Sequence, residues 1–467
     1  MRRLAGIALS GITLGAVLGG CTLDPAYQRP APPVPASFPQ GPSYAPPGAE
    51  ADVPTSWRAV FTDPDLQAVI DLALAQNRDL RVAVPNIQSA QAAVAVQRSA
   101  LLPAINGSAG ETLEQTPNTF IPGGGSLNLR LYSASIGFSN WELDLFGRTR
   151  SLTRAAYDQF LAAEDNRRAV QVSLVAQVAT AWFTYAADRE LLTVAQQTLA
   201  SQQASLDLTK ARFNGGVASQ LDVSQAETTV EQARSDVANF TTTVAQAKNA
   251  LDLVVGAAVP EARLPKALPA DGVAEVKAGL NSQVLLARPD VLQAEHQLQS
   301  ANANIGAARA AFFPTISLTG QVGQESTALQ TLFNAASRTW LFEPNVSVPI
   351  FEGGRNVANL KSAKAQRDTA VAQYEKAIQS AFRDVADALA REGTIGEQLA
   401  AERALVDSAS QALTLTNARY ERGTDPYVNV LVAQRTLYGA QQSQISTALI
   451  RLTNAVSLYR ALGGGQG

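Results

Sequence analysis

Very few side chains in this sequence are suited to chemistry. Its 467 residues include one His, one Cys and one Met. A protein-built transition-metal site usually draws on three or four nitrogen or sulfur ligands, so the composition nearly excludes one. His296 stands beside Glu295 in a helical stretch and is expected to be a packed or solvated side chain, not a ligand. No Gly-rich turn opens a helix with a Lys behind it, so phosphate binding has no support. A formal net charge of -3 provides no basic field to hold nucleic acid. No acid, base and nucleophile form a recognisable constellation, and the chain is expected to be neither an enzyme nor a cofactor carrier. The one residue placed for covalent chemistry is Cys21. Arg2 and Arg3 precede an uncharged apolar run from Leu4 to Leu18, which ends in Leu18-Gly19-Gly20-Cys21. This pattern resembles a bacterial lipobox, in which residues 1–20 are removed as a signal peptide and the thiol is acylated. A plain secretory signal with a chance Cys, or a single membrane anchor, are the alternatives. Thr22 follows in place of the Asp associated with inner-membrane retention, which implies sorting to the outer membrane.

The elements behind these residues are long and repetitive. Residues 21–60 are rich in Pro, including Pro32-Pro33 and Pro46-Pro47, and read as an extended tether. Beyond it the chain resembles itself. Asn77-Arg78-Asp79 and Leu102-Pro103 match Arg288-Pro289-Asp290 and Phe313-Pro314 at an offset of 211. Gly147-Arg148 and Ala211-Arg212-Phe213 match Gly354-Arg355 and Ala418-Arg419-Tyr420 at an offset of 207. Two tandem copies account for this: residues 61–255 and 281–461, joined by a linker at 256–280 and followed by a flexible tail at 462–467. Each copy begins with a helix, Asp63 to about Leu102 and Val291 to about Phe313, stopped by Pro103 or Pro314. Two strands come next, at about 105–115 and 131–145 in the first copy and 315–325 and 340–350 in the second. Ile316, Leu318 and Val322 alternate with polar residues at a period of two. In the first copy parity slips between Phe138 and Trp141, as a bulge would require. Strands of about ten residues with aromatics near their ends suit a tilted membrane-spanning strand.

Each copy then enters a helix of about 65 residues without Pro, Arg148 to Phe213 and Arg355 to Tyr420, long enough to span roughly 100 Å. Phe160, Val170, Leu174, Ala181, Tyr185, Leu192, Ala195, Leu199, Leu206 and Phe213 recur at a coiled-coil-like spacing. A Gly-containing tip turns each helix back, at Asn214-Gly215-Gly216 and Glu421-Arg422-Gly423, into a return helix, Ser219 to about Val255 and Tyr427 to about Ala461. One chain cannot cover such apolar seams, and four strands cannot close a barrel in lipid. Closed oligomerisation removes both deficits; the number of subunits stays open on these grounds.

The landmarks Trp141-Glu142-Leu143-Asp144-Leu145-Phe146-Gly147-Arg148, Arg288-Pro289-Asp290-Val291, Ile305-Gly306 with Phe312-Phe313-Pro314, and Phe351-Glu352-Gly353-Gly354-Arg355 resemble, in order, the TolC/OprM family of outer-membrane efflux channels, in its lipoprotein branch. The resemblance covers nearly the whole mature chain. It implies a mainly α fold with transmembrane β: a homotrimer whose 12-stranded barrel in the outer membrane continues into a periplasmic helical barrel. It implies as partners a periplasmic adaptor and an inner-membrane pump of the resistance-nodulation-division type, exporting drugs or small toxic molecules. An ATP-driven polypeptide-secretion conduit is the alternative on the same fold, and a passive structural lipoprotein is a third. Within the family pattern, Asp425 falls at the narrowing periplasmic tip, with Arg419, Arg422 and Tyr427 as local partners in a gate. Three such carboxylates on a three-fold axis would form a ring of like charge. The structural alternative is that Asp425 only caps the helix that starts at Pro426. Gly216, Val217, Ala218, Ser219, Asp222 and Gly423 are expected at the adaptor-docking tips, again on resemblance. The Pro426 and Val432 positions depart from the family pattern.

Overall fold

The structure is a computed structural model that describes residues 22–44, 56–116, 127–270, 272–274 and 281–464. The predicted signal peptide, the acylation position Cys21 and parts of the tether, linker and tail lie outside the described residues. Among the described residues the chain forms helices α1 (Trp57–Val60), α2 (Pro64–Gln76) and α3 (Arg78–Ser99), strands β1 (Asn106–Thr116) and β2 (Leu127–Leu143), and helices α4 (Arg148–Asn214), α5 (Gln220–Val255) and α6 (Pro289–Ala310). Strands β3 (Thr315–Ser326) and β4 (Arg338–Ser347) and helices α7 (Arg355–Glu421) and α8 (Tyr427–Ala461) complete it. Helix dominates, and α4 and α7 each run for 67 residues. Contacts divide the described residues into two compact units.

The first unit comprises residues 22–31, Asn86–Glu164 and Gln293–Tyr374. Its centre is an antiparallel sheet in the order β1-β2-β3-β4. The register sets Ile136 opposite Val322, and Val322 opposite Trp340. Because successive side chains alternate in a strand, one face carries Ile136, Phe138, Val322, Trp340, Phe342 and Val346. The other is more polar, with Ser133, Ser135, Gln321, Glu325 and Glu343 alongside Leu129, Leu131 and Leu341. The apolar face is open: Trp340 is 74% exposed and Val322 59%. The predicted parity slip is a bulge between Phe138 and Trp141, with Asn140 at φ 54°. The extra residue moves Trp141 and Leu143 onto the apolar face, where even-numbered residues stood before it. Strands β2 (Leu127–Leu143) and β4 (Arg338–Ser347) differ at both ends from the expected 131–145 and 340–350. Strand β2 starts at Leu127 rather than 131, because its ladder with β1 runs on from Leu127 to Gly137. Strand β4 stops at Ser347 rather than 350, short of Pro349, which has no N–H for a ladder. Pro344 does lie within β4, at an edge of the chain's sheet.

The N-terminal segment of this unit is pinned, not loose. Arg309 donates to the Leu23 carbonyl at 3.0 Å and Asn302 to that of Pro25 at 2.8 Å. Asp24 accepts from Ser151 and Arg154, and its carboxylate lies against Gly306, where an added Cβ would sit 1.7 Å from its oxygen. Tyr27 and Arg29 both donate to buried Glu295, at 3.1 and 2.7 Å. Burial first, and then the Glu295 carboxylate, push the Tyr27 hydroxyl above its ordinary range.

The second unit comprises Pro32–Pro85, Asp165–Leu292 and residues 375–464. Its main core gathers Phe61, Leu66, Ile70, Trp182, Phe183, Leu251 and Tyr459. Fully burying each large apolar side chain stabilises by about 2–3 kcal/mol. Trp182 satisfies its indole N–H on the Arg263 carbonyl at 3.2 Å. Of the predicted seam, Leu174, Tyr185, Ala195 and Leu206 are buried, whereas Phe213, in the last turn of α4, is exposed. The single helix predicted from Asp63 to Leu102 is in fact two, broken at Asn77. Asn77 leaves the helical path because its side chain donates to the Val254 carbonyl at the end of α5, at 2.7 Å, and accepts from Leu80 N–H at 3.0 Å. Arg288 makes the matching contact at the end of α8, donating to the Ala461 carbonyl while gripping Asp290 at 2.7 and 3.0 Å.

Candidate functional site

Among the described residues no group of His, Cys, Asp and Glu is placed to hold a metal ion. None of the helices among the described residues is long and apolar enough to cross a membrane, which says nothing about the sheet. The sequence candidates that the structure describes converge at the tips of the two helical hairpins, both within the second unit.

Helix α4 ends on Gly216, whose φ of +75° favours a residue without Cβ. The Val217 N–H reaches back to the Arg212 carbonyl at 2.9 Å, and the Gly216 N–H to that of Phe213 at 2.9 Å, so the last carbonyls are satisfied. Ser219 then caps α5. Its hydroxyl accepts from Asp222 N–H at 3.1 Å, and the Asp222 carboxylate accepts from Ser219 N–H at 2.9 Å, a reciprocal capping box. Asp222 and Ser219 thus hold each other within one turn. Val217 and Leu221 are left exposed beside them.

Helix α7 ends in the same way, on Gly423 at φ +76°, with Thr424 N–H bonded to the Arg419 carbonyl at 3.1 Å. The start of the return helix is different. Pro426 occupies the cap position of α8 and makes no side-chain capping bond. Asp425 stands one residue before that position. Its carboxylate receives Arg419 Nε at 2.7 Å and Nη2 at 2.9 Å, a bidentate pair. These bonds hold the Asp425 carboxyl below the ordinary carboxylate range. Arg419, and not Arg422, makes the contact; Arg422 is exposed. Tyr427 is buried, with its ring 5.4 Å from that of Tyr420.

A second arginine, not singled out from sequence, ties the two tips together. Arg212 Nη1 donates to the carbonyls of Tyr420 and Glu421 at 3.1 and 3.2 Å, and its guanidinium lies 4.6 Å over the Tyr420 ring. These are carbonyls at the C-terminus of α7, where the helix dipole also favours a cation. The Tyr420 and Thr209 hydroxyls meet at 3.2 Å, and Gln434 donates to Ser205 at 2.9 Å. Beneath them Leu206, Val223, Val230, Tyr427 and Val430 form a local apolar core. One sequence signal pointed this way: Arg212 and Arg419 are the same position of the two repeats. The partners were hidden, because a backbone carbonyl carries no residue identity.

The family model "Outer membrane efflux protein" matches residues 69–257 and 280–464. The antibiotic efflux pump outer membrane protein ArpC of Pseudomonas putida is 46% identical over 453 residues, covering 96% of this chain and 93% of the relative. The solvent efflux pump outer membrane protein SrpC of Pseudomonas putida is 44% identical over 454 residues, covering 96% of each. The open-state MtrE outer membrane channel of Neisseria gonorrhoeae superposes with a TM-score of 0.85 at 36% identity, covering 96% of this chain and 99% of that one.

Proposed function

The chain belongs to the outer membrane efflux protein family, whose members are outer-membrane conduits and not enzymes, and from that premise we propose that three copies assemble into the export channel of a tripartite efflux system. One observation carries the proposal: an antiparallel sheet of four strands whose edges β1 and β4 have no partner in the described chain, with one apolar face open and the other more polar. Such a sheet is unstable alone in lipid and complete when twelve strands close, polar side inward. The long hairpins α4–α5 and α7–α8 then supply the periplasmic helical wall. Two tandem repeats, 61–255 and 281–461, with the linker 256–280 between them, underlie the pseudo-symmetry. In support, Asn77 and Arg288 occupy matching positions and bond matching helix ends, Val254 and Ala461.

The partners are a periplasmic adaptor and an inner-membrane pump of the resistance-nodulation-division type, and the cargo is a drug or solvent-like small molecule. Relatives named for antibiotic and solvent efflux support this and do not favour the polypeptide-secretion alternative. The lipid on Cys21 tethers the chain to the outer membrane. The Arg419–Asp425 pair, backed by Tyr427 and flanked by Arg422, gates the periplasmic end. The exposed tip at Gly216, Val217, Ala218, Ser219 and Asp222, with Gly423 opposite, docks the adaptor. Single-channel recording in planar bilayers tests the conduit. Purified protein is expected to give discrete conductance steps; inserted protein without any step would overturn it.

A further inference from the structure

The apolar face of the sheet is interrupted near its loop end. A groove of about 870 Å³ crosses it, paved by the small residues Gly107, Ala109 and Ala134 and walled by Phe333 and Trp340. Arg338 enters this groove from the first position of β4, and in the register it lies opposite Gln324. Every other rung from Ile136–Val322–Trp340 to Leu143–Ile316–Val346 is apolar on this face, so the cation stands immediately beyond the apolar band. The other cation of the sheet, Arg130, is neutralised by Glu111 at 3.0 Å. Arg338 has no carboxylate within salt-bridge distance among the described residues, and residues 117–126 contain no Asp or Glu. Gln324 adds an independent sign: its side-chain oxygen is buried yet has no hydrogen-bond partner. A buried polar atom left in this way is destabilising unless something else fills the place.

We infer that this groove binds a phosphorylated glycolipid of the outer leaflet. One acyl chain lies along Val322 and Trp340, a phosphate receives Arg338, and a sugar hydroxyl bonds the Gln324 amide. The chemistry selects this occupant. An acyl chain fits a groove with an apolar floor and aromatic walls, an anion fits an unneutralised guanidinium at the edge of the band, and a hydroxyl fits the orphaned amide. A ligand lacking any of the three would leave one feature unmet. The inference rests on the membrane-spanning reading of the sheet proposed above.

The test is native mass spectrometry of the full-length protein in nonionic detergent, titrated with diphosphoryl lipid A and, in parallel, with phosphatidylglycerol, alongside planar-bilayer recording. Wild-type protein is expected to retain lipid A in preference to phosphatidylglycerol. Arg338→Gln should weaken retention about tenfold and Gln324→Leu about threefold, both with unchanged conductance. Equal retention by wild type and Arg338→Gln overturns the site. So does equal retention of the two lipids, which would mean that acyl chain, phosphate and any hydroxyl suffice and that the groove does not read the sugar. Dissociation of the oligomer in Arg338→Gln also overturns it, because Arg338 would then be an inter-subunit ion pair. Wild-type protein that inserts without conductance strikes the channel reading instead, whatever its lipid retention.

Discussion

At Gly216 and Gly423 the two long helices stop in the same way, each on a left-handed glycine with its final carbonyls bonded back by the next N–H groups. The residues just beyond them diverge. Ser219 and Asp222 close the first tip through short bonds within a single turn. At the matching positions of the second tip stand Pro426, which makes no side-chain cap, and Asn429. That tip is closed by Arg419 and Asp425, six residues apart across the turn, and by Arg212 reaching over from the first hairpin. A capping box forms wherever the helix forms, so the first tip keeps its shape while it is moved or touched. The second depends on an exposed ion pair and on a neighbour, and can be opened without unfolding a helix. One repeat thus yields a tip held within a single turn, and the other a tip held by contacts across the turn and from a neighbour, which is the contrast behind the docking and gating roles proposed above.

Substitutions can break this contrast. Arg212→Ala removes two hydrogen bonds to helix-terminal carbonyls and a cation–π contact, for an expected loss of about 2–3 kcal/mol. The thermal melt should fall clearly and leak conductance should rise; an unchanged melt would show that Arg212 does not hold the tips. Ser219→Ala should cost about 1 kcal/mol through loss of the cap and leave conductance as in wild type. A leak in Ser219→Ala would abolish the distinction between the tips. Asp425→Asn should have the reverse signature, with no resolvable change in the melt but higher conductance and greater antibiotic entry. Unchanged conductance would reduce Asp425 to a turn residue.

The smallest effect is that of acid. The folded state holds the Asp425 carboxyl below its ordinary value of 3.8, so it remains ionised in the fold where the free group would take up a proton. The stabilisation it provides is therefore complete above that ordinary value and is lost as pH falls through the lower folded one. Conductance should be flat from neutrality to about pH 5 and rise only near or below pH 4, with Asp425→Asn insensitive throughout. A rise near pH 6 would point to a different group.

The hairpins were legible to within a residue because their boundaries are written in residue types. Gly216 and Gly423 supply positive φ, and the helices that lead into them, Arg148–Asn214 and Arg355–Glu421, contain no Pro. The bulge in β2 was legible for a similar reason, since the side-chain period of a strand is two and an extra residue reverses parity. The break at Asn77 was missed, because Asn tolerates a helix interior until its amide finds the Val254 carbonyl, 177 residues away. Asp425 carried two readings, a part in gating or helix capping alone. The structure puts Pro426 at the cap position and brings Arg419 onto the Asp425 carboxylate, a contact across the turn that spacing alone did not single out.

What the sequence determined by itself was everything set by near neighbours along the chain: helix length, turn position, strand parity, and the scarcity of residues that could do chemistry. These arise from backbone sterics and periodicity, which act over a few residues. Only the tertiary structure decided which strand lies beside which, that Arg212 spends its guanidinium on the end of another hairpin, and that Arg338 stands beside Gln324 without a counter-charge. Those depend on contacts between residues far apart in the chain, and hydrogen bonds to main-chain carbonyls leave no trace in the letters of the acceptor.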